Sequence, residues 1–171
     1  ATAADGIYTY AYTVVGGTSG SNLNGVVTVT DDAGNSSGAI ADTSNITIAT
    51  NPPTVTDPNI VVTISTDNNV ASVAGLTDVL TITWDNSATG DNNLGISAVT
   101  TDLTAFGGGA AVAMVDDGTS GDATAADGIY TITYTIVAGT IDATSLNADV
   151  TATSANGSTT ASDTSNISVD N

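Results

Sequence analysis

The nonapeptide ATAADGIYT occurs twice in this chain, first at Ala1–Thr9 and again at Ala123–Thr131. The match continues downstream, where LNGVVTVTDDAGN aligns with LNADVTATSANG and DTSNITI aligns with DTSNISV. The offset between the two copies stays between 121 and 123 residues, so one repeat unit is about 121 residues long. An internal repeat of this length predicts a chain built from copies of one domain, rather than one fold of 171 residues.

The boundary between repeats is predicted at the sequence NPPTV, where Pro52 and Pro53 follow Asn51. Two consecutive prolines cannot lie inside a central strand, and they favour an extended linker. Residues 1–51 are then the C-terminal part of one repeat, and residues 52–171 are a complete repeat. Two explanations stay open for the incomplete one. We favour a window from a longer array, and the alternative is a half-domain that a neighbouring subunit completes in a head-to-tail filament.

Within a repeat, apolar residues alternate with Thr at a period of two, which is typical of a half-buried antiparallel strand. In IYTITYTIV the apolar face is Tyr130, Ile132, Tyr134 and Ile136, and the first copy repeats it with Tyr8, Tyr10, Tyr12 and Val14. Similar runs are Ile60–Ser65, Val79–Trp84, Ile96–Leu103, Ala111–Val115, Val150–Ser154 and Asn166–Val169. These short runs, separated by Gly, Asn, Asp or Pro, predict an all-β fold of immunoglobulin-like β-sandwich repeats in tandem, the first one incomplete. The single Trp84 is expected in the core.

The composition excludes several classes of function. The chain has a net charge of −18 and contains no Lys, Arg, His or Cys, and Asp is its only acidic residue. Without His and Cys there is no Ser-His or Cys-His nucleophile pair and no thiolate metal site. We therefore predict that the chain is not an enzyme, because only a glycosidase-like Asp pair remains conceivable and none stands out. The negative charge disfavours nucleic acid, and no apolar run reaches the roughly 20 residues of a membrane span.

One segment, DDGTSGDATAADG at Asp116–Gly128, has the spacing of a cation site. Counted from its first residue, oxygen-bearing side chains stand at positions 1, 5, 7 and 12 with glycine at 6, as in an EF-hand loop. Position 3 is Gly, position 12 is Asp instead of Glu, and the flanks are predicted strands, so the segment is not an EF-hand. We predict a Ca²⁺ site with the ligands Asp116, Asp117, Ser120, Asp122 and Asp127. The alternative is a pair of Asp-Gly turns that only needs left-handed backbone at Gly118 and Gly128.

The net charge also favours bound cations, because eighteen like charges without counter-charges destabilise a compact state. Adaptation to high salt is the competing explanation, since salt screens such charges. A second acidic loop follows Trp84 and contains Asp85, Asp91, Asn92 and Asn93. We favour the interpretation that these residues form a solvated loop, and a second cation site is the alternative. The sequence Asp67–Asn69 is predicted to be a turn.

Four N-x-[ST] sequons are candidate glycosylation sites, at Asn35, Asn45, Asn156 and Asn166. In the run NITI the isoleucines are expected to alternate inward, so Asn45 is predicted to face solvent, as glycosylation requires. Because Asn, Ser and Thr are frequent in this chain, chance occurrence of the sequons is the alternative.

The phrases DDGTSGDATAADGIYT, VTVTDDAGN, DTSNISVDN and NPPTV resemble the tandem immunoglobulin-like repeats of large bacterial and archaeal cell-surface proteins. The resemblance implies an extracellular structural protein, a segment of a filament, surface layer or adhesin stalk, with calcium at loops and domain junctions. Its partners would be copies of itself or neighbouring repeats of a longer chain. The alternative is an adhesin module that binds a glycan or a partner cell surface through its loops, for which Phe106 is the only aromatic loop candidate.

Overall fold

The computed structural model describes residues 6–68 and 70–171, and it divides the chain into two compact units, Ala1–Asn51 (unit 1) and Pro52–Asn171 (unit 2). The start of the first repeat copy and Asn69 of the predicted turn lie outside the described residues. The described chain is all-β, with two 3₁₀ turns at Asp57–Asn59 and Thr104–Phe106. Within these ranges no helix has the length and apolar character of a membrane-crossing segment.

Unit 1 contains four short strands within its described residues. They are β1 (Ser19–Leu23), β2 (Val26–Val27), β3 (Ile40–Ala41) and β4 (Ile46–Ala49). Strand β1 pairs antiparallel with β4, and β2 pairs antiparallel with β3. Ile46, which the sequence predicts to point inward, is exposed in unit 1.

The predicted half-buried strand over Tyr8 to Val14 is wrong for this copy of the repeat. Residues 7–15 form no strand, and Tyr8 is 95% exposed. The physical reason is the lack of a neighbour, because a strand is stabilised by its ladder and by burial of one face. Unit 1 contains no sequence corresponding to Pro52–Asp122, which supplies the neighbouring strands in unit 2.

Unit 2 is built from ten strands within its described residues. They are β5 (Ile60–Thr66), β6 (Val73–Gly75), β7 (Val79–Asp85), β8 (Ile96–Asp102), β9 (Val112–Ala113), β10 (Ile129–Thr135), β11 (Asp142–Leu146), β12 (Asp149–Ser154), β13 (Gly157–Ser162) and β14 (Ile167–Asp170). They form three sheets, with the orders β10-β7-β5, β13-β12-β8-β9 and β11-β14-β6. All pairs are antiparallel except β14 with β6. Several antiparallel sheets around one core are consistent with a β-sandwich.

The core of unit 2 lies on the inward faces of these sheets, as the period-two pattern predicts. Along the central strand β7, Leu80, Ile82 and Trp84 are fully buried, and the intervening residues are only half-buried. Strand β10 pairs antiparallel with β7 along its whole length, and the ring centroids of Tyr130 and Trp84 lie 5.5 Å apart. Trp84 therefore occupies the core position that the sequence predicts for it.

The repeated C-terminal sequence adopts the same local structure in both units. The pairings β1 with β4 and β11 with β14 each show one irregularity at the equivalent place. In unit 1 the Asn45 backbone N–H donates to Asn24 Oδ1 at 2.8 Å, and in unit 2 the Asn166 N–H donates to Asn147 Oδ1 at 2.8 Å. Both Asn45 and Asn166 have left-handed backbone, with φ of 54° and 57°. The two units thus share this strand pairing and this asparagine hydrogen bond.

Candidate metal site

The acidic loop, residues 116–128, connects β9 to β10 and is closed at its base by the backbone. The Val115 N–H donates to the Thr131 carbonyl at 2.9 Å, and the Thr131 N–H donates to the Val115 carbonyl at 2.7 Å. This bridge places the first carboxylate of the loop next to its last residues. A cleft of about 330 Å³ opens beside it, with Asp116 and Tyr130 among its lining residues.

Asp116 holds the two ends of the loop together. Its Oδ1 accepts the Asp127 N–H at 3.1 Å and its Oδ2 accepts the Gly128 N–H at 3.0 Å. Its carbonyl oxygen accepts the Ala126 N–H at 3.2 Å. These three hydrogen bonds from backbone N–H groups hold the Asp116 side chain and backbone against the last residues of the loop.

Asp122 is the most buried carboxylate of the loop, with 8% of its surface exposed. Its Oδ2 accepts the Gly118 N–H at 2.7 Å, and its Oδ1 accepts the Thr124 N–H at 3.3 Å. Asp127 is exposed, and its Oδ1 accepts the Ile129 N–H at 2.9 Å. Hydrogen bonds from the loop backbone therefore orient each of these carboxylates.

The structure brings together three of the five predicted ligands. Carboxylate oxygens of Asp116, Asp122 and Asp127 all lie within 4.8 Å of one another, and we call these three residues the acidic cluster. Asp117 is not part of the acidic cluster, and its Oδ1 accepts the N–H and the hydroxyl of Thr119 at 2.9 and 2.6 Å. Ser120 lies in the exposed part of the loop with a left-handed φ of 53°.

The glycines of the loop have the backbone that the turn interpretation requires. Gly118 and Gly128 have φ of 79° and 87°, in the left-handed region that favours glycine. Gly121 has φ of 96°, and a Cβ there would lie 2.5 Å from the Thr133 Cγ2. Ala126 has the same left-handed sign, with φ of 61°. The turn interpretation and the converging carboxylates are thus compatible, because the turns bring the acidic side chains together.

The donor set fits a hard cation. Ca²⁺ takes oxygen ligands from carboxylates, carbonyls and water, and the acidic cluster offers carboxylate oxygens from two ends of one loop. The negative field of the loop also affects the neighbouring phenol: burial, and then the charge of Asp116, raise the pKa of Tyr130. A cation bound by the three carboxylates would relieve their mutual repulsion.

The second acidic loop forms a hydrogen-bond network, and the preferred prediction of a solvated loop is wrong for Asp91. The Asp91 carboxylate accepts four hydrogen bonds, which we call the Asp91 network. The donors are Trp84 Nε1 at 2.7 Å, Thr56 Oγ1 at 2.6 Å, Thr56 N at 3.0 Å and Asn59 Nδ2 at 2.8 Å. Partial burial acts to raise the pKa of Asp91, but these hydrogen bonds outweigh it and leave the pKa below its usual value. The network attaches the start of unit 2 to the end of β7.

Neighbouring residues of the same loop extend this structural role. Asn93 Oδ1 accepts the Thr54 N–H at 2.7 Å, and Asn93 Nδ2 donates to the Thr54 carbonyl at 2.7 Å. Asn86 Oδ1 accepts the Asn93 N–H at 2.7 Å, and Asp85 Oδ1 accepts the Ser87 N–H at 2.8 Å. The oxygens are engaged with protein donors, so the loop serves the fold of unit 2.

Phe106, the aromatic residue proposed as a loop contact for a ligand, is fully buried. It closes the 3₁₀ turn Thr104–Phe106, and Gly107 follows it with a left-handed φ of 84°. This turn directs the ring into the core of unit 2. Phe106 is therefore not available as an aromatic loop contact for a ligand, because the chain reverses at this turn: the Gly108 N–H donates to the Leu103 carbonyl at 2.9 Å, and the Leu103 N–H donates to the Gly109 carbonyl at 2.9 Å.

All four sequon asparagines are exposed. Asn35 Nδ2 donates to Asp31 Oδ2 at 2.8 Å, and Asn166 Nδ2 donates to the Thr164 carbonyl at 2.9 Å. Asn45 Oδ1 accepts a hydrogen bond from Asn24 Nδ2 at 3.1 Å, and Asn156 lies in the turn between β12 and β13. Exposure meets the first requirement for glycosylation, and modification of these residues stays a prediction.

Comparison of the chain with protein-family models, with curated proteins and with solved structures gave no match.

Proposed function

We propose that this chain is a segment of a structural extracellular protein, in which tandem immunoglobulin-like β-sandwich repeats form a filament, a surface layer or an adhesin stalk. The observation that carries this proposal is the common local structure of the repeated sequence in the two units, with the same strand pairings and the same asparagine hydrogen bonds. A module that recurs within one chain suits a function of length and stiffness, since each copy adds the same increment. Its partners are neighbouring repeats or further copies of the chain.

We further propose that Ca²⁺ stiffens unit 2 at the acidic loop. The acidic cluster presents carboxylates from both ends of the loop within 4.8 Å. A cation held by Asp116, Asp122 and Asp127 would connect the start of the loop to its end, and so restrain the link between β9 and β10. It would also offset part of the net charge of −18, which otherwise opposes the compact state.

Immuno-electron microscopy of the native cells tests the structural role, with an antibody raised against the whole chain. We expect the label to follow a continuous fibre, a two-dimensional lattice or a projecting stalk outside the cell envelope. Label confined to the cell interior would contradict the proposal. The mass of the denatured native polypeptide adds a second result, because a long array predicts a mass far above the 16.6 kDa of these residues.

A further inference from the structure

Asn or Asp precedes Gly at four places within the described residues, and we call these the Asx-Gly junctions. They are Asn24-Gly25, Asp117-Gly118, Asp127-Gly128 and Asn156-Gly157. At such a junction the glycine nitrogen, which has no Cβ beside it, can attack the side-chain carbonyl carbon of the preceding residue and close a succinimide ring. The nitrogen attacks only after its N–H has lost the proton. The group that accepts a hydrogen bond from the glycine N–H therefore influences how fast the junction reacts.

At three of these junctions the glycine N–H donates to a carboxylate. The Gly25 N–H donates to Asp42 Oδ2, the Gly118 N–H to Asp122 Oδ2 at 2.7 Å, and the Gly128 N–H to Asp116 Oδ2 at 3.0 Å. A carboxylate in contact with an N–H opposes loss of its proton, because the amide anion would place a second negative charge beside the first. We therefore expect these three junctions to react slowly in the folded chain.

The side chain of Asn24 is held as well as the N–H that follows it. Asn24 Oδ1 accepts the Asn45 N–H at 2.8 Å, and Asn24 Nδ2 donates to Asn45 Oδ1 at 3.1 Å. Both hydrogen bonds must break before the Asn24 Cγ can reach the Gly25 nitrogen. Ring closure at this junction therefore requires a local opening of the backbone.

Unit 2 repeats this arrangement at the equivalent residues. Asn147 Oδ1 accepts the Asn166 N–H at 2.8 Å, and the N–H of the following residue, Ala148, donates to the buried Asp163 Oδ2 at 2.7 Å. The restraint on the side chain and on the next N–H thus belongs to the repeated sequence and occurs in both units.

The junction Asn156-Gly157 has a different environment. Both residues are exposed, and they lie at the turn between β12 and β13. Gly157 pairs with Ser154 in the last position of the strand ladder, where local opening costs little free energy. The Asn156 N–H donates to Ser154 Oγ at 3.1 Å, but this N–H takes no part in the ring closure.

We propose that Asn156 is a modification site, at which the side-chain amide converts spontaneously to aspartate and isoaspartate while the other three junctions are protected by their carboxylates. The Gly157 nitrogen gives its proton to hydroxide and forms a bond to the Asn156 Cγ. The Cγ–Nδ2 bond breaks, and Nδ2 takes a proton from water and leaves as ammonia. Water then opens the succinimide at either carbonyl, so the net reaction consumes one water and releases one ammonia.

The conversion changes the tip of the β12–β13 hairpin in two ways. It adds a negative charge to a chain that already carries −18, and isoaspartate also adds a methylene to the main chain of the turn. It also removes the amide that a glycan at the Asn156 sequon would need. The modification and glycosylation therefore compete for the same side chain.

The test compares the whole chain folded and in guanidinium chloride, in the same mildly alkaline buffer. Samples taken over time are digested with pepsin, and mass spectrometry follows the conversion of amide to acid at Asn24 and Asn156. Labelling by an isoaspartate methyltransferase confirms the succinimide route. We expect similar rates at the two junctions in guanidinium chloride. In the folded chain Asn24 should react at least tenfold more slowly than in guanidinium chloride, and Asn156 should stay within about threefold of its rate there.

The variant Asp42→Asn removes the carboxylate beside the Gly25 N–H, and Asp32→Asn makes the same change in charge at an exposed residue nearby. We expect Asn24 to react at least threefold faster in the folded Asp42→Asn chain, and at an unchanged rate in the Asp32→Asn chain. An Asn156 that stays intact in the folded chain while it reacts in guanidinium chloride would overturn the proposal. Equal rates at Asn24 and Asn156 in the folded chain would overturn it as well.

Discussion

Replacing Asp91 by Ala should strongly destabilise unit 2, because it removes all four acceptor sites of the Asp91 network. Trp84 is fully buried, so its Nε1–H is left without an acceptor, which costs about 1–3 kcal/mol. Thr56 and Asn59 are only half-buried and recover part of their hydrogen bonding from water. Together these effects predict a loss of roughly 2–4 kcal/mol in the free energy of unfolding.

The assay is urea unfolding of the whole chain followed by the fluorescence of Trp84, which as the only tryptophan reports on unit 2 alone. With a typical urea dependence of about 1–3 kcal/mol per molar, the midpoint should fall by roughly 1–2 M. Asp170→Ala, at an exposed carboxylate, makes the same change in charge and should stay within about 0.5 kcal/mol of the unmodified chain.

Asp91→Asn separates the loss of hydrogen bonds from the loss of volume. Each Asp91 oxygen accepts two hydrogen bonds, so in either orientation the new amide group faces two donors. We expect this variant to lose at least half as much stability as Asp91→Ala. Unfolding of Asp91→Ala and Asp170→Ala at the same urea concentration would refute this structural role of Asp91.

Three further predictions concern unit 2, and Trp84 fluorescence serves for each. The pKa of Asp91 is lowered in the folded state, so the stability that its ionised form contributes is complete above about pH 4 and is lost as the pH falls through the folded-state pKa. Below about pH 4 the unmodified chain should therefore lose stability more steeply than Asp91→Ala. Phe106→Ala should cost about 3–5 kcal/mol in urea unfolding, whereas a loss under 1 kcal/mol would place the ring outside the core. Thr101→Val should leave stability unchanged or raise it by up to about 1 kcal/mol, because the buried Thr101 hydroxyl has no hydrogen-bond partner among the described residues; a loss above 1 kcal/mol would contradict this.

Strands with a dense alternation of large apolar residues and Thr could be predicted from the sequence. Strand β7 is the clearest case, since Leu80, Ile82 and Trp84 specify one buried face. The sequence did not reveal β6, β11 and β13, which consist mainly of small and polar residues. Their pairing depends on the strands beside them, and intrinsic preferences of Ser, Thr, Gly and Ala carry little information about it.

Residues 7–15 show a second limit of strand prediction from sequence. The same alternation that forms β10 in unit 2 forms no strand in unit 1. The period of two encodes which side chains share a face, but a strand also needs a neighbour that accepts and donates its backbone hydrogen bonds. A pattern within one segment therefore cannot establish that the neighbour is present.

The acidic loop and the Asp91 network differ in how far apart in sequence their interacting residues lie. The residues of the acidic loop lie within one short segment, so the spacing of Asp and Gly is sufficient to predict Asp116, Asp122 and Asp127 as candidate ligands. Asp117 was included because its carboxylate is equally close in sequence, although its own turn with Thr119 engages it. The Asp91 network joins residues 35 positions apart, and no local spacing predicts such a contact.

Thermal unfolding of the whole chain with millimolar calcium or with chelator, at fixed ionic strength and followed by Trp84 fluorescence, tests the central claim that a cation at the acidic loop stiffens this module. Calcium at about 100 times its dissociation constant stabilises a folded state by about 2.7 kcal/mol. For a domain of this size that predicts a rise of roughly 10 °C in Tm. Asp122→Asn should lose most of the rise, whereas Asp170→Ala should keep it. Equal Tm values with calcium and chelator would contradict the account, and an equal rise from monovalent salt alone would attribute the charge to salt adaptation.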